Sequence, residues 1–175
     1  MKEDKSFSIG NKIDITISPG LLESLGKMSI LFAGLEYFVI LAISNLIPRT
    51  HANFIFRLVG GDSFRILLSK FKKIFLFQIK DDDLIKKFDK LYDGLIKINE
   101  CRNRYEHSMW LFNESNLFRF KIKSNIKKKP ILFDGEKLQV SDIEKLSSKI
   151  IVASKEVRSL GEMARKSLNK KNIKK

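Results

Sequence analysis

The alternation of apolar and polar positions divides the chain into long helical segments and one short extended region. Ile13, Ile15 and Ile17 alternate with Lys12, Asp14 and Thr16, so residues 1–18 read as an extended lead-in. Ser18-Pro19 supplies an N-cap followed by proline at the first helical position, and the helix it opens is expected to run to Ile47, stopped by Pro48. At 1.5 Å per residue that helix is a rod of about 40 Å. A connector from Pro48 to Gly61 follows. Asp62 or Ser63 can cap a second helix to about Ile79, with Phe64, Leu67, Leu68, Phe71, Ile74 and Phe75 as its stripe. Asp81, Asp82 and Asp83 put carboxylates at the start of a third helix, where its dipole favours them, and that helix is expected to reach Trp110.

Beyond it the period falls to two. Phe118, Phe120 and Ile122 alternate with Arg119, Lys121 and Lys123, which predicts a strand. Apolar residues on either side of Asp134-Gly135 predict a tight hairpin there. Ser141-Asp142-Ile143-Glu144 has the spacing of a capping box before a last helix carrying Ile143, Leu146, Ile150, Ala153, Val157 and Leu160. The expected fold is all-α: an up-and-down bundle of about four long helices with a small β-hairpin insert, near residues 116–140, before the last helix. One helical domain would cover residues 19–168, with a basic tail over 169–175.

Composition narrows the function. With 43% hydrophobic and 31% charged residues, the chain has the make-up of a globular protein. A single cysteine, Cys101, excludes an internal disulfide and a thiolate-rich metal site, and suits a reducing interior. Two histidines far apart, without carboxylates at ligand spacing, argue for no metal and no cofactor. The net charge of +14 favours a polyanionic partner, since Lys and Arg neutralise phosphates and release counterions; a lysine-rich composition without any bound polyanion would read the same. The opening residues lack the apolar run of a secretory signal. Met28–Ile47 is nearly long enough to span a bilayer, but Glu36 would stand in mid-span, so a bundle helix is expected in its place. No membrane contact and a cytoplasmic location are therefore expected.

The third helix breaks its own pattern. Leu84, Phe88, Leu91, Leu95 and Ile98 step down one face by fours and threes, and the next step lands on Arg102. The adjoining track passes from Ile96 to Asn99, Asn103 and His107. Sequences that are otherwise consistent break pattern mainly at functional or strained sites. Asn103 and His107, at i and i+4, share a face; Arg102 and His107 lie about 140° apart around the helix. Two copies of the helix across a two-fold axis would bring both arginines and both histidines into one cleft, which predicts a homodimer. The plainer reading is a surface ion pair between Arg102 and Glu106, with Tyr105 and Trp110 as core aromatics.

Arg102-Asn103-Arg104-Tyr105-Glu106-His107 resembles the R-x(4–6)-H motif of the HEPN superfamily, whose members are helical bundles carrying the motif near the end of a long helix. Leu35-Glu36 in the first helix and Trp110 after the motif also look like the family. The resemblance implies metal-independent cleavage of RNA, leaving a 2′,3′-cyclic phosphate and a 5′-hydroxyl, in a toxin–antitoxin or phage-defence setting. It gives His107 the proton transfer, Arg102 the stabilisation of phosphoryl charge, Asn103 a positioning role and Glu106 the orientation of Arg102. Arg104, Arg119, Lys121, Lys127, Lys128 and Lys129 are candidate RNA contacts, and an antitoxin or another regulatory protein is a candidate partner. HEPN toxins modified on a tyrosine two residues after the histidine have no counterpart here, because that position is Met109. The alternative implied by the same resemblance is an inactive HEPN-like subunit for RNA or nucleotide binding, or for assembly.

Overall fold

A computed structural model describes residues 19–48, 51–113, 116–123 and 132–172. The architecture is a helical bundle, with elements in the order α1 (Pro19–Asn45), α2 (Ala52–Val59), α3 (Phe64–Gln78), α4 (Asp82–Glu106), β1 (Met109–Asn113), β2 (Asn116–Lys123), β3 (Leu132–Leu138) and α5 (Val140–Asn172). The predicted lead-in over residues 1–18 lies outside the described residues.

α1 begins at Pro19, whose missing N–H and fixed φ suit a first helical turn. Its last turn tightens, with Leu46 N–H donating to Ile43 C=O and Ile47 N–H to Ser44 C=O, before Pro48. The face carrying Met28, Phe32, Leu35, Val39 and Ile43 is buried in a core shared with α3, α4 and α5. The opposite face is also apolar and open: Leu22, Ile30 and Tyr37 are 55%, 76% and 52% exposed. α1 and α5 approach closely at Gly161, where a Cβ would lie 3.2 Å from the Cα and Cβ of Ala42.

The expected connector between Pro48 and Gly61 contains a helix, α2. Its buried residues Ile55 and Val59, one turn apart, anchor it to the core; without a side-chain cap bond its N-terminus carries no local signal. It ends at Gly60, where a Cβ would lie 2.5 Å from the Phe56 carbonyl oxygen, so a side chain there would force the backbone to shift. α3 buries Phe64, Leu67, Leu68, Phe71 and Phe75. α4 is capped by Asp81, whose carboxylate accepts from the N–H groups of Asp83 and Leu84. Phe75 and Phe88 stack at 4.2 Å between centroids, and Phe71 meets Phe88 edge-on at 5.1 Å, joining α3 to α4.

Three features of the insert differ from expectation. α4 stops at Glu106, because Met109–Asn113 pair with β2 as a strand; Trp110 is thus a strand residue opposite Arg119. The insert is a three-stranded antiparallel sheet of order β1-β2-β3, starting at Met109. Asp134-Gly135 makes no hairpin turn. It lies within β3, opposite Lys121 and Phe120, where ladder pairing with the preceding strand overrides the local turn preference. The capping box at the start of α5 also shifts register: Asp142 reaches back to accept from the Gln139 N–H, in place of a bond between Ser141 and Glu144. The helix then continues through Asn169 to Asn172, into the segment read as a tail.

Candidate functional site at the end of helix α4

The α4 stripe buries Leu84, Phe88, Leu91, Leu95 and Ile98, and one turn later the same face presents Arg102 to α1. A charged group there must find partners, because burying it alone is costly. Arg102 Nη2 lies 2.6 Å from Glu106 Oε2, and Nη1 donates to Asn103 Oδ1 at 3.1 Å. The guanidinium carbon sits 4.7 Å from the centre of the Phe32 ring, a cation–π contact with the core-facing side of α1. Glu106 in turn accepts from the Ser29 hydroxyl at 3.1 Å. Arg102 Nε is buried with no acceptor among the described residues, although donors at that depth normally have one.

Glu36 completes the cluster from α1. Burial pushes its carboxyl above the ordinary 4.5, the Arg102 guanidinium pulls it back in part, and the Glu106 carboxylate pushes it further up. A carboxyl raised by folding disfavours the folded state once it ionises. The penalty is absent below pH 4.5 and complete above the raised value. Glu36→Gln is therefore expected to gain stability relative to wild type as pH rises above about 4.5, with the two alike in more acidic solution; melting curves across pH 4–8 check this.

His107 stands apart from the cluster. It is the C-cap of α4, with φ −103° and ψ 29°, and its backbone N–H donates to the Asn103 carbonyl at 3.2 Å. Its imidazole is exposed, and among the described residues no hydrogen bond, ion pair or ring contact joins it to Arg102. The chain thus brings Arg102, Asn103 and Glu106 together and leaves His107 beyond them at the helix end. Tyr105 is buried, and burial pushes its hydroxyl up, in keeping with a core aromatic.

Of the candidate RNA contacts, Arg104 is exposed on the last turn of α4. Arg119 and Lys121 occupy alternate positions of β2, and Lys127, Lys128 and Lys129 lie outside the described residues. Ser29 and Phe32 escape a reading of the sequence, since nothing local links them to residues seventy or more positions away. Glu36 did carry a signal, as the lone charge in an apolar stretch. Among the described residues no three His, Cys, Asp or Glu side chains gather where they could hold a metal ion.

No protein-family model, curated protein or solved structure matches this chain.

Proposed function

We propose that the chain is a metal-independent endoribonuclease of the HEPN type, acting as a homodimer in a toxin or phage-defence role. The observation that carries this reading is the polar cluster of Arg102, Asn103 and Glu106 where the apolar stripe of α4 would continue, with an exposed His107 standing apart from it at the same helix end. In the reaction the RNA 2′-hydroxyl attacks the adjacent phosphorus. One His107 accepts the 2′ proton, the P–O5′ bond breaks, and His107 of the partner subunit protonates the leaving 5′ oxygen. Charge that builds on the phosphoryl oxygens is met by the fork of Arg102, held in place by Glu106 and Asn103. The products are a 2′,3′-cyclic phosphate and a 5′-hydroxyl.

The dimer seam in this reading is the outer face of α1. At 100° per residue, Leu22, Gly26, Ile30, Ala33 and Tyr37 form one stripe, roughly opposite the core and next to Ser29 and Glu36. A helix apolar on both sides normally has both covered. Replacing Ile30 and Tyr37 together by glutamate is expected to give a folded monomer in sedimentation and to lower RNA cleavage at least tenfold. A dimer that survives, or a monomer with full activity, removes the composite site.

A second reading is favoured by the closure of Arg102 on Glu106 and Asn103. There the cluster is an internal ion pair, and the protein is an RNA-binding, nucleotide-binding or assembly subunit. The two readings separate on His107→Ala, which silences the nuclease and leaves the binding subunit unchanged.

A further inference from the structure

Between α4 and α5 runs a groove of about 670 Å³, on a part of the bundle remote in sequence from the Arg102 cluster for most of its length. Its floor is apolar, formed by Leu91, Ile98, Leu146, Leu160 and Met163. Its lining charges are strongly biased: Lys87, Lys90, Lys97 and Lys149 against the single carboxylate of Glu156. From Lys87 to Cys101 the α4 wall covers fourteen helical steps, or about 21 Å, the length of a four-turn helix.

Gly94 lies midway along that wall, and a Cβ built on it meets nothing within 4 Å. Glycine inside a helix costs about 1 kcal/mol relative to alanine, and the chain's own packing offers no reason for it here. An absent side chain at the centre of an open groove is what a closely docked helix requires. Val152, on the α5 wall, is 55% exposed, an apolar contact left open to such a guest.

We infer that the α4–α5 groove is a docking site for an acidic amphipathic helix of about four turns, presented by a partner protein. The guest's apolar face fills the floor over Gly94, and its flanking carboxylates meet the lysine rim. Helix-in-groove recognition of this kind reads apolar anchors at i, i+3, i+4 and i+7, and charge complementarity at the rim sets partner choice and approach. The inference is independent of RNA cleavage.

The test uses the full chain and a synthetic eighteen-residue helical peptide with leucines at that spacing and glutamates on both flanks, followed by fluorescence anisotropy. The controls are a scrambled peptide of identical composition and a peptide with lysine in place of each glutamate. The acidic amphipathic peptide is expected to bind at least tenfold tighter than either control. Lys97→Glu with Lys149→Glu should weaken it at least tenfold and improve binding of the lysine peptide. Gly94→Gln, which leaves the charge unchanged and favours the helix, should abolish binding without lowering the melting temperature. Equal binding of the scrambled peptide, or indifference to Gly94→Gln, overturns the inference. So does a change of oligomeric state on Val152→Glu, which gives the groove to a second copy, or weakened binding of an RNA oligonucleotide to Gly94→Gln, which gives it to RNA.

Discussion

Replacing His107 with alanine is expected to lower single-turnover RNA cleavage by about 100- to 10,000-fold, the range carried by a general acid–base group, with melting temperature and dimer unchanged. The separation of activity from stability follows from where His107 stands. Its imidazole is exposed, and its contribution to the helix end is a backbone N–H donated to Asn103, which alanine keeps. Exposed substitutions of this kind usually change stability by no more than about 0.5 kcal/mol. Arg102→Lys is the companion variant. It retains the charge but loses the planar fork that spans Glu106 and Asn103, so cleavage should fall while folding survives. Undiminished cleavage by His107→Ala would assign the activity elsewhere.

Phe88→Ala carries the largest expected effect on stability. Phe88 is fully buried, stacked on Phe75 and met edge-on by Phe71, so truncation leaves a cavity at the junction of α3 and α4. A change of this type costs about 3–5 kcal/mol, and in a domain of this size that lowers the melting temperature by about 10 °C. Because α4 carries Arg102, the loss should also broaden the cluster's geometry and reduce cleavage in proportion to the unfolded fraction. Thermal denaturation followed by circular dichroism measures it. A shift of a degree or two would mean that the aromatic stack does not hold α4.

The long helices were legible in the sequence because each carries its own periodic stripe and punctuation. The α4 stripe from Leu84 to Ile98 stands as its spacing implied, and of the three carboxylates expected on its first turn Asp82 and Asp83 lie there while Asp81 is the N-cap. α2 was hidden because Ile55 and Val59 anchor it through tertiary packing and no capping side chain announces it. The end of α4 and the course of β3 were hidden for another reason. Met109–Asn113 and Asp134-Gly135 take their conformation from pairing with β2 on either side of it, and local preference yields to the ladder.

The candidate site divides in the same way. The misfit of Arg102 is a one-dimensional signal, visible as a charge in an apolar track. Its setting is not: Ser29 and Phe32 reach the end of α4 only because α1 and α4 pack across the core. The outward position of His107 depends on the helix ending at Glu106, which the sheet decides.

The most direct measurement is incubation of the purified protein with RNA in excess EDTA, followed by analysis of the new ends. Cleavage that persists in EDTA and leaves 2′,3′-cyclic phosphates with 5′-hydroxyls is the predicted result. RNA left intact, or EDTA-sensitive cutting that leaves 3′-hydroxyls, would contradict it.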